Sequence, residues 1–255
     1  MALFEPDPST FITLKTTQKT FVITGGSSGI GLATAIFLTS LNPTHNIVLI
    51  DLQPPPKTFI HPASNLLVHT CNITSWPAQR AAFSAAHQRF GRIDYVFVNA
   101  GISEYQDQFF TDSLDDESLL KEPDRRVLRI DMDAAADTTK LAIHYLRKNG
   151  ARGGGIVLTA SLAGYLGTGG LPLYSAAKHG VVGLMRALKA PCAKLHISIS
   201  VVAPGITVTP ILGAGSEVEY AEKMRKVGVP INTPESVATA VCWLFDEGAK
   251  ANGAG

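Results

Sequence analysis

The chain has 255 residues, 45% of them hydrophobic, with 22 Lys and Arg against 21 Asp and Glu and a formal net charge of +1. That length and apolar content suit one α/β domain with a large core, and the even charge balance argues against nucleic acid or an anionic membrane surface as a partner. The opening MALFEPDPSTFITLK lacks a signal-peptide pattern and no apolar run reaches membrane-spanning length, while Cys71, Cys192, Cys242 and the seven His residues lack disulfide or metal-ligand spacing, so a soluble cytoplasmic protein without a metal site is expected.

After an N-terminal extension over 1–18, the β-branched run TFVIT at 20–24 predicts a strand. It is followed by Gly25-Gly26-Ser27-Ser28-Gly29-Ile30-Gly31 and then by the helical pattern LATAIFLTSL, which stops before Pro43. Strand, glycine turn and helix in that order place a pyrophosphate against the amides of a helix N-terminus, with Thr24, Gly25, Ser27, Ser28, Gly29, Ile30 and Gly31 as the contact stretch. No P-loop lysine follows.

A second strand, NIVLID at 46–51, ends in Asp51, twenty residues after Gly31, where a ribose contact is expected. A carboxylate there accepts from ribose hydroxyls and repels a 2′-phosphate, and the turn offers no Arg or Lys to neutralise one. NAD is therefore expected ahead of NADP. The run NLLVHT at 65–70 predicts a third strand leading to Asn72 and Ile73, and a helix capped by Thr74 or Ser75 should run to Phe90 with Gly91 as its stop. IDYVFV at 93–98 predicts a fourth strand before Asn99-Ala100-Gly101. Alternating strands and helices imply a doubly wound parallel sheet of six to seven strands, helices on both faces, with ligands at the carboxyl ends of the strands.

The loop 102–122 is longer than a connection needs, so it is expected to wall a substrate site. A helix is predicted over 123–148. The strand near 156 ends at Ser161, and a helix from Pro172 to about Lys189 carries Tyr174 and Lys178, four residues apart and so on one helical face. A phenol titrates near pH ~10 in water, but an adjacent ammonium favours the phenolate and makes Tyr174 a proton-transfer group. Leu162, Tyr165, Leu171, Ile206, Ile211 and Leu212 should make the pocket apolar, with 206–232 as a second substrate-side loop whose residues 210–232 form a mobile cover. Thr233-Pro234-Glu235 opens a last helix.

Five motifs in this order, Thr24-Gly25-x-x-x-Gly29-x-Gly31, Asn99-Ala100-Gly101, Ser161, Tyr174-x-x-x-Lys178 and Pro204-Gly205 with Thr209, resemble the short-chain dehydrogenase/reductase family, and within it the 15-hydroxyprostaglandin-dehydrogenase-like members. The resemblance covers nearly the whole chain. It implies one domain over 1–255, hydride transfer between a lipophilic secondary alcohol or ketone and NAD, and assembly as a homodimer or homotetramer. Tyr174 would exchange the hydroxyl proton, Ser161 would hold the substrate oxygen and Lys178 would bind the nicotinamide ribose. Pro204, Gly205, Ile206 and Thr209 would clasp the carboxamide, with Asn99, Ala100 and Gly101 along the adenosine side.

Three positions depart from the family pattern. Asp133, in RIDMDAAADTT, is matched to a family Asn that supports a water relay behind the lysine, and is taken as catalytic; Asn72 stands where an Asp often meets adenine; and Asn252-Gly253-Ala254-Gly255 falls where a last strand usually follows. Two further readings stay open: an NADPH-dependent carbonyl reductase, and a dinucleotide-binding scaffold, cyclase or regulator without redox chemistry. The resemblance allows catabolic oxidation, steroid or prostanoid-like alcohols and secondary-metabolite tailoring without choosing among them.

Overall fold

The computed structural model describes residues 10–107, 109–213 and 216–255. Most of the expected N-terminal extension, 1–9, lies outside the described residues, as do residue 108 of the first long loop and 214–215 of the second.

Six strands form one parallel sheet in the order β3-β2-β1-β4-β5-β6. They are β1 (Thr20–Thr24), β2 (Asn46–Asp51), β3 (Leu66–Thr70), β4 (Tyr95–Val98), β5 (Gly154–Thr159) and β6 (Ile197–Val202). The helices are α1 (Ile12–Thr16), α2 (Gly29–Leu41), α3 (Trp76–Phe90), α4 (Arg126–Leu128), α5 (Ala135–Leu146), α6 (Pro172–Ala193), α7 (Glu217–Lys226) and α8 (Pro234–Glu247). A single π-type stretch, Arg129–Ala134, joins α4 to α5.

Alternation along each strand sorts the core into two layers, because successive side chains point to opposite faces. Val22, Val48, Ile50, Val96 and Val98 pack with Phe83, Leu146 and Val181 beneath α3, α5 and α6. Phe21, Ile23, Ile47, Leu49 and Phe97 pack with Leu38, Val241 and Phe245 beneath α1, α2 and α8. The sheet is therefore covered on both faces, which is why its central strands read as unbroken apolar runs.

Two expected helix ends match the chemistry of their caps. Ser75 accepts from the Ala78 amide at the start of α3, and Gly91 stops that helix at φ 74°. Thr233 likewise accepts from Ser236 ahead of Pro234 at the start of α8. The helix expected over 123–148 is broken by the π-type stretch, which inserts a residue into the turn that faces α6. Part of the expected 210–232 cover is regular, with α7 inside it. The long 102–122 loop has no strand or helix of its own among its described residues, beyond a bridge between Leu114 and Leu120. The last residues run along the outer edge of β6 without forming a strand: Gly253 donates to Ile199 O and Ala254 O accepts from Val201.

At the opposite rim from the strand ends, His45 is fully buried against Phe21, with ring centroids 5.0 Å apart. Its Nδ1 accepts from the Lys19 amide at 3.1 Å. Burial pushes the imidazole down to about 4, assisted by His61 and Lys19 and opposed by the Leu14 backbone. The folded chain thus refuses a proton that the unfolded chain accepts below about 6.5, so stability present above that pH is lost as pH falls toward 4. We expect a loss of about 3 kcal/mol over this window, one pKa unit being worth about 1.4 kcal/mol. Urea midpoints between pH 7 and 4 should fall less steeply for His45→Gln than for the parent, and equal slopes would remove His45 as the cause.

Candidate active site

The strand order reverses between β1 and β4, and the carboxyl ends of β1, β2, β4, β5 and β6 converge there. Asn99 stitches that point together. Its Nδ2 donates to Thr24 O at 3.1 Å and to Gly25 O at 3.3 Å, and its Oδ1 accepts from Thr159 at 3.0 Å. The Thr24 hydroxyl in turn accepts from the Asn99 and Ala100 amides. Thr24 and Asn99 therefore spend their side chains on holding the glycine turn, and act on a ligand through the backbone they position.

The turn itself is built for close approach. Gly25 sits at φ +64°, and a Cβ on Gly31 would lie 2.1 Å from Gly25 O. Ser28 is exposed and supplies no side-chain cap to α2, leaving the first amides of that helix for an anionic ligand. Ser27 is tied at both ends, its amide to Asp51 Oδ2 at 2.9 Å and its hydroxyl to Gln53 O at 2.7 Å. Asp51 also accepts from the Leu52 amide, so its carboxylate stands at the end of β2 beside the turn. Ile30 packs partly into the core.

The segment after β6 crosses this cleft. A Cβ on Gly205 would lie 3.3 Å from Leu162, whereas one on Gly29 would lie 3.1 Å from the Thr209 methyl. Residues 204–209 thus run from the end of β5 to the glycine turn. Ile206 O accepts from Asn232, and Thr207 bridges to the same residue, which holds this strap in place. An uncapped helix start, a turn where a Cβ would not fit and a strap above them fit a dinucleotide.

On the other side of the cleft lies the proposed chemistry. Lys178 is 3% exposed; its Nζ donates to Thr159 O at 3.0 Å and stands 5.4 Å from the centre of the Tyr174 ring. Ser161 opens a short 3-10 turn, accepting from the Ala163 amide at 3.2 Å and donating to Pro204 O at 3.4 Å. The second of these is a long bond, and a substrate oxygen can replace it.

The acid beside Lys178 is Asp131, not Asp133. Asp131 is 1% exposed, its Oδ2 lies 3.0 Å from Lys178 Nζ, and its Oδ1 accepts from the Ile102 amide at 2.9 Å. Asp133 is exposed. Two residues along a helix are about 200° around it, so an acid two positions from an inward one faces water. Asp131 shares the 3-4-7 spacing of the buried Ala134, Ala135 and Thr138, which marks it as inward-facing without saying which residue it meets. Close approach of the π-type stretch to α6 sets the pairing: a Cβ on Gly180 would lie 2.6 Å from Met132 Sδ.

Burial works against the charge on Lys178, yet the Asp131 carboxylate, the Tyr174 phenol and the bond to Asp131 outweigh it and hold the ammonium above its ordinary range. Burial pushes the Asp131 carboxyl up, with Lys178 and the Ile102 amide pulling the other way.

Three further expected residues stand elsewhere than foreseen. The Asn72 carbonyl, assigned to adenine, already accepts from the Thr74 amide and hydroxyl, both at 2.9 Å. Ile73 has its side chain in the core, and its carbonyl accepts from Gln79. The Tyr165 ring lies against Arg186 of α6, a residue twelve positions and so about 18 Å along the helix from Tyr174. By contrast Leu162, Ile206, Ile211 and Leu212 stay at the mouth, where the Tyr105 hydroxyl donates to Ile211 O at 2.9 Å. His144 is exposed on α5, and His179 spends Nδ1 on Ser175 O.

Residues 19–219 match the short chain dehydrogenase family. The chain belongs to that family. It is 38% identical over 225 residues to the short-chain dehydrogenase/reductase prx4 of Penicillium roqueforti, covering 88% of this chain and 64% of that protein. The chain thus spans just under two thirds of that relative's length. It is 31% identical over 238 residues to the cyclohexanol dehydrogenase of Acinetobacter sp. (strain SE19), covering 92% of this chain and 90% of the relative. Among solved structures, levodione reductase superposes with a TM-score of 0.74 at 25% identity, over 93% of this chain and 95% of that one. A short-chain type dehydrogenase/reductase from Mycobacterium marinum reaches 0.77 at 20% identity, over 95% and 94% of the two chains, which speaks for the fold alone. Among the described residues no helix is long and apolar enough to cross a membrane, and no His, Cys, Asp and Glu cluster could hold a metal ion.

The Asp131–Lys178 pair makes a direct prediction. Asp131→Asn leaves the Lys178 ammonium without the charge that offsets its burial, so its pKa falls. If turnover needs that ammonium, the alkaline limb of kcat/KM against pH should move to lower pH in Asp131→Asn and stay put in Asp133→Asn. The reverse pattern would return the role to Asp133.

Proposed function

We propose that the protein is an NAD-dependent oxidoreductase that interconverts a lipophilic secondary alcohol and its ketone. The observation that carries this reading is a buried lysine, paired with an acid, lying 5.4 Å from the ring of Tyr174 at the switch point of a dinucleotide fold. Family membership supports the reaction class, and the name of the Acinetobacter relative supports a secondary alcohol.

In the oxidation direction the chain has three tasks. Ser161 holds the substrate hydroxyl by exchanging its long bond to Pro204 O. Tyr174 takes the hydroxyl proton, and in reduction returns it. Lys178 keeps a fixed positive charge beside the ring and, held by Thr159 O and Asp131, presents it without reorganisation. The nicotinamide supplies the acceptor for the hydride that leaves the carbinol carbon.

The cofactor preference rests on Asp51. Its carboxylate stands at the end of β2 beside a turn without Arg or Lys, where a 2′-phosphate would meet a negative charge. The apolar character of the substrate rests on Leu162, Ile206, Ile211 and Leu212 at the mouth. The narrower likeness to 15-hydroxyprostaglandin-dehydrogenase-like members is part of the same proposal and leans on that lining. So is assembly of two copies through the outer faces of α5 and α6.

Fluorescence titration with NADH and NADPH, then a panel of apolar secondary alcohols including cyclohexanol with the preferred cofactor, tests the reading. Tyr174→Phe should lower turnover by about 10²-fold or more while leaving NADH affinity within about twofold. Preserved turnover would exclude the proton-transfer role. Asp51→Arg should shift preference toward NADPH, and an unaltered preference would place the ribose contact elsewhere.

A further inference from the structure

The first turn of α6 carries Tyr174, yet its own sequence cannot cap it. A helix begins with amides that lack intrahelical acceptors. Here Pro172 has no amide to offer, and Leu171 at the N-cap has no side-chain oxygen with which to serve the next two. The missing acceptor comes from the loop after β4. Glu104 Oε2 accepts from the Leu173 amide at 2.9 Å and from the Tyr174 amide at 3.1 Å.

Glu104 is only 6% exposed, and its Oε1 has no hydrogen-bond partner among the described residues. Burying a carboxylate with one oxygen bare is a costly way to cap a helix. A Ser at position 171 would serve the same amides locally. What the distant cap adds is a tether between elements: it fixes where α6 begins relative to the end of β4, which lines the cleft.

The flanking residues extend the tether. Two positions before it, the Ile102 amide donates to Asp131, the counter-ion of Lys178. One position after it, the Tyr105 hydroxyl donates to Ile211 O, in the short turn that follows the strap. Within four residues, 102–105, the loop therefore touches the partner of Lys178, the backbone of Tyr174 and the substrate-side segment.

We propose that Glu104 is a positioning residue for Tyr174, setting the height and phase of its helical turn against the cofactor cleft. The inference rests on the proton-transfer role given to Tyr174 above. Reaction requires the donor and acceptor atoms to be placed to within a fraction of an ångström, and a 1 Å displacement can cost about 10²-fold in rate. Loss of the two amide bonds lets the first turn fray or slide by that much.

The test compares Glu104→Ala with Glu104→Gln, whose amide oxygen still accepts from both N–H groups, using the full chain. We expect Glu104→Ala to lower kcat by about 10²-fold, with KM and the NADH dissociation constant by fluorescence each within about twofold. Glu104→Gln should restore kcat to within about fivefold. Independently of turnover, hydrogen–deuterium exchange over 172–178 should lose protection in Glu104→Ala and regain it in Glu104→Gln. On a Tyr174→Phe background Glu104→Ala should cost no further rate. Should Glu104→Ala fail to fold, Glu104→Asp, one methylene short of both amides, replaces it with the same expectations.

An unchanged kcat in Glu104→Ala beside an inactive Tyr174→Phe would overturn this inference alone. So would a Glu104→Gln variant as slow as Glu104→Ala, or a loss of NADH affinity and melting temperature in step with kcat. Full turnover in Tyr174→Phe would instead overturn the functional reading beneath it.

Discussion

An ammonium buried to 3% exposure is the constraint to which the active corner answers. Removing a charge of that kind from water is expensive unless its donors all find acceptors and an opposite charge stands close. Lys178 has the Asp131 carboxylate as its opposite charge, with Oδ2 3.0 Å away, and donates a hydrogen bond to Thr159 O at 3.0 Å. Those two partners belong to different layers, one at the start of the helix above the sheet and one at the end of β5. Satisfying one lysine therefore registers α6, the π-type stretch and the sheet against one another. Losing either side of such a pair leaves a bare buried charge and costs about 3–5 kcal/mol.

The same economy governs the cofactor side. Thr24 and Asn99 carry polar side chains into a region that is otherwise apolar, and each finds its partners across a strand boundary. The ends of β1, β4 and β5 are locked by side chain to backbone bonds, and the glycine turn is held from below. Rigid support of this sort lets backbone amides face a ligand without rearranging. The two long loops meet at the mouth, where the Tyr105 hydroxyl donates to Ile211 O.

The local chemistry of the elements was open to inspection in the sequence. NIVLID ends at Asp51 because a strand buried on both faces must turn polar where it meets water, and Ser75 with Gly91 marks the two ends of α3 as their side chains require. Ser161, Tyr174 and Lys178 could be named as candidates from spacing and order. What could not be named was the acid beside the lysine. A motif alignment favoured Asp133, two residues from the residue that points inward, because a one-dimensional match does not say which way a helix is turned. Tyr165 failed for the same reason: sequence adjacency to Ser161 says nothing about the direction its ring takes once Gly164 packs against the α6 backbone. At Asn72 and Ile73 the same limit shows in the two carbonyls, which Thr74 and Gln79 engage.

By itself the sequence determined the alternation of strands and helices, the glycine turn, the acid that closes β2 and the Tyr and Lys that share a helical face. These follow from periodicity, backbone sterics and spacing along one element, all of them local. Only the tertiary structure decided that Asp131 is the partner of Lys178, that Asn99 holds the turn from beneath, and that Glu104 caps a helix seventy residues away. Each of these is a buried or half-buried polar group answered by a partner distant in the chain. Such partners are fixed by which elements pack together, and no local rule of spacing carries that information.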